Sequence, residues 1–258
     1  MPAADLPLLI DAARKAGTIA TSYVGTTAKR WDKADGAGPV TEADLAVNDM
    51  LLRELLEARP DYGWLSEETE DSTKRLGHDR VFIVDPIDGT RSFTEGANTW
   101  AHAIAVAERG QVTAAVVYLP LRDLLYTAAL GSGAFLNGVP ITASDVGEFA
   151  QASILAAKPL MAGNYWRGGI CPPFKPAYRP SLAYRLGLVA QARFDAMLTL
   201  RPSWEWDIAA GALIVSEAGG TITDKRGATL RFNNADPRLD GIVAGGSSIH
   251  QSVMDALA

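Results

Sequence analysis

Two aspartates three residues apart, Asp85 and Asp88, follow the apolar run Val81-Phe82-Ile83-Val84 within the segment Asp85-Pro86-Ile87-Asp88-Gly89-Thr90. A continuous apolar run of this length is the pattern of a strand covered on both faces. The two acids therefore emerge where a buried strand gives way to a turn. Pro86 pre-sets one backbone angle, and Gly89 lets the chain approach a ligand closely. Such a turn can aim both carboxylates and the Ile87 carbonyl at one point. The amides of Gly89 and Thr90 would then open a helix, a place that favours an anion. Oxygen ligands converging beside an anion site suit Mg²⁺ bridging to a phosphate. Asp-Pro and Asp-Gly pairs are also ordinary turn chemistry, so the segment alone does not decide the matter.

Two further segments add weight. Leu65-Ser66-Glu67-Glu68 places two acids directly after an apolar strand, and Trp204-Glu205-Trp206-Asp207 places an acid at the start of a strongly apolar helix. Singly, Glu67 and Glu68 read as loop acids and Asp207 as a helix-start residue that complements the dipole. Together, Glu67, Asp85, Asp88 and Asp207 all sit at strand ends or helix starts, where open α/β sheets place their ligand sites. Asp44 closes a capping-box layout, Thr41-Glu42-Ala43-Asp44, and that role is sufficient to explain it.

The elements that must position these side chains are legible in outline. Apolar spacing from Leu6 to Ala20 predicts a first helix that stops at Gly25, followed by a glycine-rich loop over residues 33–39. A second helix starts at the capping box and ends before Pro60, and a short strand covers residues 63–66. From residue 101 the alternation predicts antiparallel strands over 103–107, 112–118 and 124–128, with hairpin signals at Gly131-Ser132-Gly133 and Asn137-Gly138. Beyond residue 146 helices over 181–193 and 208–218 alternate with strands over 196–200, 221–223 and 241–244. The expected fold is mixed α/β: an α+β part over 1–145 carrying Glu67, Asp85 and Asp88, and an α/β part over 146–258 carrying Asp207. The two share one core, with the site in the cleft between them.

Composition narrows the function. The chain has 258 residues, 48% of them hydrophobic, which is ample for a full core. With 24 basic against 30 acidic side chains, no basic excess exists to hold nucleic acid or an anionic membrane. Cys171 is the one cysteine, and His78, His102 and His250 match no ligand spacing, so a metal site must be built from carboxylates. The acidic start, with Asp5 where a signal peptide needs positive charge, and the turn-rich stretch 124–144 predict neither a leader nor a membrane span. The expected setting is cytoplasmic and reducing.

The segments Asp85-Pro86-Ile87-Asp88-Gly89-Thr90 and Trp206-Asp207-Ile208-Ala209-Ala210-Gly211 resemble the two signature motifs of the inositol monophosphatase superfamily of Mg²⁺-dependent, lithium-sensitive phosphatases. Lys33, Val40-Thr41-Glu42-Ala43-Asp44, Ser66-Glu67-Glu68 and Glu217-Ala218-Gly219-Gly220 fall where that family has its other marked segments. The resemblance implies a layered αβαβα sandwich and two or three metal ions. Glu67, Asp85 and the Ile87 carbonyl would hold the first ion. Asp85, Asp88 and Asp207 would hold the second, and Glu67 with waters a weaker third. It further implies that the Thr90 hydroxyl, bonded to Asp44, orients and helps deprotonate the attacking water. The Gly89 and Thr90 amides would hold phosphate oxygens. Divalent ions so placed neutralise the phosphate and stabilise the leaving oxygen of an in-line displacement.

Two branches compete for the substrate, both small phosphorylated metabolites: inositol monophosphate, and a nucleotide such as adenosine 3′,5′-bisphosphate. Inositol phosphatases resembling the animal enzymes carry a ring-gripping glutamate seven residues before the last metal-binding aspartate; here that position is Leu200. The segments around Glu67 and Asp207 look more like bacterial 3′(2′),5′-bisphosphate nucleotidases, with Trp204, Trp166, Tyr165 and Arg201 available to stack on or pair with a nucleotide. The nucleotidase is the favoured reading. Haloacid-dehalogenase-type phosphatases need aspartates two apart near the N-terminus, which this spacing denies. A silent metal- or phosphate-binding regulator would have lost an acid or the threonine, yet Glu67, Asp85, Asp88, Thr90 and Asp207 are all present. Gly131-Ser132-Gly133 lacks the third glycine of a dinucleotide fingerprint, and Cys171 beside Pro172 has no base partner. The family accommodates both monomers and homodimers.

Overall fold

A computed structural model describes residues 4–25, 29–32 and 38–258. Lys33 and most of the glycine-rich loop lie outside the described residues.

The chain opens with α1 (Leu6–Ser22), then a short antiparallel ribbon of β1 (Arg30–Asp32) and β2 (Pro39–Thr41), and α2 (Glu42–Ala58). Helix α1 stops at Ser22, before the Gly25 that the sequence offers as its end. A seven-stranded sheet follows, in the spatial order β3 (Gly63–Ser66), β4 (Arg80–Asp88), β5 (Ala101–Glu108), β6 (Gln111–Leu119), β7 (Leu124–Ala129), β8 (Ala134–Leu136) and β9 (Val139–Ile141). Only β3 and β4 pair in parallel; every later pair is antiparallel, as hairpin connections dictate. A single turn of helix, α3 (Thr90–Thr94), leaves the end of β4.

The remaining elements are β10 (Ser153–Leu155), β11 (Lys175–Ala177), α4 (Leu182–Ala190), β12 (Ala196–Thr199), β13 (Ser203–Trp204), α5 (Glu205–Glu217), β14 (Gly220–Thr223), β15 (Arg238–Leu239), β16 (Ile242–Gly246) and α6 (Ser247–Ala256). They form a second sheet in the order β11-β10-β12-β16-β14, with β13 and β15 as a separate two-residue ribbon.

Alternation along β4 shows how the layers stack. Phe82 and Val84 face one way, into a core with Leu9, Ala13 and Ala16 of α1 and Val47 and Leu51 of α2. Val81 and Ile83 face the other way, into a core with Leu186 and Val189 of α4 and Ile208 and Ile214 of α5. That second core also takes in Leu155, Met197 and Ala244 of the smaller sheet, whose far face packs Ile154, Leu198 and Val243 against Ile249 and Val253 of α6. The order is helix pair, sheet, helix pair, sheet, helix: the expected αβαβα sandwich. Strands β5 and β6 are therefore buried on both faces nearly throughout.

Helix α5 starts at Glu205 rather than at Ile208, because extended Trp204 serves as its N-cap and the acids Glu205 and Asp207 complement the first turn. Caught between two sheets, it is apolar all round. At Gly211 an added Cβ would lie within 3 Å of the Leu186 side chain of α4, so Leu186 seats directly on the α5 backbone there. Gly211→Val should lower stability by about 1–3 kcal/mol. The expected fall in Tm is about 2–4 °C per kcal/mol, and an unchanged thermal unfolding curve would show that the helices can part without cost.

Candidate active site

The site grows from an irregularity in β4. The sequence suggests a turn after Val84, but the strand continues to Asp88 and stays paired with β5. Asp85 lies opposite Ala103 and Asp88 opposite Ala101, so three steps on β4 match two on β5. This bulge has a consequence for the acids. In a regular strand, residues three apart point to opposite faces; one extra residue brings both carboxylates to the same face. Pro86 is tolerated because it falls inside the bulge, where no ladder bond needs its missing N–H. Beneath it, the buried His102 holds the Pro86 carbonyl through Nδ1. Burial drives the His102 pKa down to about 4, so the ring is neutral.

Parallel pairing carries Glu67 to the same place. Ser66 is in register with Val84, and the Glu67 amide donates to the Val84 carbonyl at 3.2 Å, which sets Glu67 level with Asp85. The Ser66 hydroxyl donates to Asn48 of α2 at 2.8 Å, fastening the strand end to the helix behind it. Asp207 arrives from the other side, in the first turn of α5. Carboxylate oxygens of Asp85, Asp88 and Asp207 lie within 4.8 Å of one another. Glu67 lines a cavity of about 340 Å³ together with Asp207, Arg201 and Trp204.

Asp44 divides its two oxygens between two partners. Oδ2 accepts from the Thr41 amide at 2.9 Å, completing the capping box of α2, while Oδ1 lies 3.2 Å from the Thr90 hydroxyl. Thr90 Oγ1 is also 3.1 Å from the Ile87 carbonyl, so its proton has two acceptors to choose between. Gly89 precedes α3 with φ +98°, a conformation that accounts for glycine there.

Several contributors were not singled out from the sequence. Asp88 Oδ2 accepts from the Ser181 hydroxyl and the Ala183 amide, both at 2.6 Å, so the start of α4 holds this carboxylate. The signal was present, since Ser181 before an apolar run is an N-cap pattern. Glu205, fully buried, accepts from the amides of Asn233 at 2.6 Å and Asn234 at 2.9 Å. Buried Arg75 donates to Asn233 Oδ1 and the Asn234 carbonyl, tying the start of α5 to the segment before β4. Those partners are remote in sequence. Trp166, in contrast, is 2% exposed with its indole N–H on the Leu160 carbonyl, so it cannot reach a ligand.

Electrostatics define what the cluster wants. Burial, then the Glu67, Asp88 and Asp207 charges, raise Asp85 well above the ordinary aspartate range. Burial followed by Asp88 and Glu67 does the same to Asp207, partly opposed by a hydrogen bond to Asp85 and the Arg201 charge. Burial raises Asp88 to about 6 against the bonds from Ser181 and Ala183, and raises Asp44 to about 6 against its Thr41 bonds. Asp85 Oδ1 is buried with no hydrogen-bond partner. An all-oxygen set with an orphaned acceptor fits a hard divalent cation, and Asp85, Asp88, Asp207, Glu67 and the Ile87 carbonyl are the groups that could hold it.

A layered αβαβα sandwich that crowds carboxylates beside a threonine hydroxyl and a backbone amide turn is the framework of a metal-dependent phosphatase. The profile of the inositol monophosphatase family matches residues 4–257, and the chain belongs to that family. It is 32% identical to an inositol-1-monophosphatase of Mesorhizobium japonicum, with 98% of this chain and 95% of the relative covered. It is 30% identical to a histidinol-phosphatase of Chlorobaculum parvum, covering 98% and 96%. Its fold superimposes on the crystal structure of extragenic suppressor protein suhB from Bartonella henselae with a TM-score of 0.83, at 30% identity and 98% and 97% coverage. The chain is thus a phosphoric monoester hydrolase. Among the described residues no helix is long and apolar enough to cross a membrane.

Raised carboxylates bind more protons in the folded than in the unfolded chain, so without metal the protein should lose stability as pH rises from about 4 through 6. Above that range a cation should restore it. Mg²⁺ should therefore raise Tm at pH 7.5, and its affinity by calorimetry should weaken about tenfold or more on going to pH 5.5, as protons compete for the same oxygens. Asp85→Asn should raise the metal-free Tm by at least about 2 °C and abolish the Mg²⁺ response. A Mg²⁺ response surviving in Asp85→Asn would remove Asp85 from the ligand set.

Proposed function

We propose that this phosphatase is Mg²⁺-dependent and lithium-sensitive, and that it is a 3′(2′),5′-bisphosphate nucleotidase releasing phosphate from adenosine 3′,5′-bisphosphate to leave AMP. One observation carries the nucleotide part. Trp204 is 39% exposed in the cavity it shares with Glu67 and Asp207. Its ring stacks on Trp206 at 4.7 Å with an interplanar angle of 11°, and the Arg238 guanidinium lies 5.6 Å from its centroid. An exposed indole already held in place beside the acids is a platform for a flat aromatic base, at little ordering cost. Leu200, whose side chain packs toward the core of the smaller sheet, offers no acceptor to a polyol.

In this reading Glu67, Asp85 and the Ile87 carbonyl would hold one divalent ion, and Asp85, Asp88 and Asp207 a second. When bound, the ions supply charge neutralisation of the phosphate and a lowered pKa for water. The Thr90 hydroxyl accepts a hydrogen bond from the attacking water while donating to Asp44 Oδ1, and Asp44, with a pKa near 6, takes the proton that the water sheds. The Gly89 and Thr90 amides hold oxygens of the phosphate. The leaving ribose oxygen departs opposite the attacking water and is protonated from solvent.

The second reading, an inositol-1-monophosphatase or a related polyol phosphate phosphatase, is favoured by the name of the Mesorhizobium relative. Phosphate release from adenosine 3′,5′-bisphosphate, inositol 1-phosphate and histidinol phosphate, with Mg²⁺ and with or without lithium, separates the readings. The expected kcat/KM is about a hundredfold higher for the nucleotide, a ratio that hydrogen-bonding and stacking sites readily reach. Higher kcat/KM on inositol phosphate would transfer the assignment to the second reading, and turnover untouched by lithium would remove the lithium claim. Thr90→Ala should lower kcat by about 10²–10⁴-fold with KM nearly unchanged, as loss of a proton-transfer partner does. A change confined to KM would make Thr90 a binding residue instead.

A further inference from the structure

Behind the Trp204 cavity lies another, of about 400 Å³, lined by Tyr165, Tyr178, Arg185, Thr199, Leu200 and Arg201 among others. Arg201 lines both, so the two spaces adjoin. No acidic residue is among those lining the second cavity.

Its two cations come from different elements. Arg185 projects from α4 one turn after Ser181, and Arg201 follows the end of β12. Arg185 is only 5% exposed. Its guanidinium lies 4.4 Å from the centroid of the Tyr178 ring, and its Nε donates to the Arg179 carbonyl. Burial disfavours the Arg185 cation, Tyr178 and the Asp88 charge favour it, and the Arg201 charge opposes it in turn. Neither arginine forms an ion pair with a carboxylate among the described residues. A buried guanidinium without a carboxylate partner is costly, and it is retained most readily where an anion completes it. Arginine also presents a planar fork matched to phosphate oxygens.

We infer that this cavity is a second anion subsite, in which Arg185 and Arg201 receive a phosphoryl group of the substrate other than the one hydrolysed. The inference rests on the phosphatase reading above and deepens it: the substrate class is a phosphate ester bearing two phosphoryl groups. The metal-ligand acids take the group that leaves, and the arginines anchor the group that stays. A monophosphate brings no second anion to the two arginines of this cavity. Leu200 and Thr199 between them supply an apolar wall and one hydroxyl, too little to recognise a ring of hydroxyls.

The test uses two matched pairs of substrates on the Mg²⁺-loaded enzyme: adenosine 3′,5′-bisphosphate against 3′-AMP, and inositol 1,4-bisphosphate against inositol 1-phosphate. Within at least one pair the wild type should show a kcat/KM ratio of bisphosphate to monophosphate of about tenfold or more, the scale of hydrogen bonds to a charged group. Arg201→Gln and Arg185→Gln should bring that ratio down toward 1, and Arg185→Lys should retain more of it than Arg185→Gln. Arg201 is exposed, so its variant keeps the test valid should the buried Arg185 variants fold poorly. Wild-type monophosphate turnover equal to or above bisphosphate turnover in both pairs would overturn the subsite. So would a ratio in Arg201→Gln within twofold of wild type. An arginine-dependent ratio found only in the inositol pair would uphold the subsite and overturn the nucleotide reading. Failure to hydrolyse any of the four would overturn the bisphosphate substrate class and the subsite with it.

Discussion

Like charges that cannot relax apart are the constraint on which this structure turns. Asp85, Asp88 and Asp207 bring their oxygens within 4.8 Å, in a place where burial already penalises each charge. Nothing in the hydrophobic arithmetic favours such a cluster; the apolar cores on either side must outweigh it. The fold answers with rigidity. Each acid is fixed by elements whose own packing leaves no alternative: β4 between two cores, Ser181 and the Ala183 amide on Asp88, and the start of α5 through Glu205. A softer scaffold would let the carboxylates swing into water, and the cation affinity stored in their repulsion would be lost.

The central helix pair transmits that rigidity between the two sheets. Helix α5 brings Asp207 while burying apolar side chains on every face, and α4 brings the donors to Asp88. Their contact at Gly211 sets the distance between the two contributions. The network from Arg75 through Asn233 and Asn234 to Glu205 then joins the start of α5 to the segment leading into β4. The buried charges in that network are fully hydrogen-bonded, which is the condition under which they hold a register rather than weaken the core.

Much of this was legible in the residues. The helix from Thr41, the strands at 63–66 and 81–84, and the two hairpins follow from capping, periodicity and turn chemistry acting over a few residues. Glu67, Asp85, Asp88 and Asp207 could be grouped because each stands at the end of an element. What the sequence hid is non-local. The bulge that turns Asp85 and Asp88 to one face is a property of pairing with β5, and Pro86 looks like a turn former until that partner is known. The burial of β5 and β6 on both faces is non-local in the same way, since their small alanines serve to seat helices on both sides. Trp166 looked like a ligand-facing aromatic and is a core residue, because aromatic identity does not reveal which side of a loop faces inward.

Chemistry and selection are carried by different kinds of element, yet they are not independent. The acids sit on strands and helix starts, whereas Arg201 and Trp204 belong to the connection between β12 and α5, the sort of segment that can vary without disturbing a core. Arg185 breaks this division. It lies on α4, one turn beyond the residue whose hydroxyl holds Asp88. Any shift of α4 that re-aimed the guanidinium would also move the donors on Asp88, and so the cation site. The substrate group that stays and the group that leaves are therefore registered against one rigid body rather than against two movable ones. A site built this way gains discrimination at the point of catalysis, since a ligand that misfits the arginines also sits wrongly over the acids.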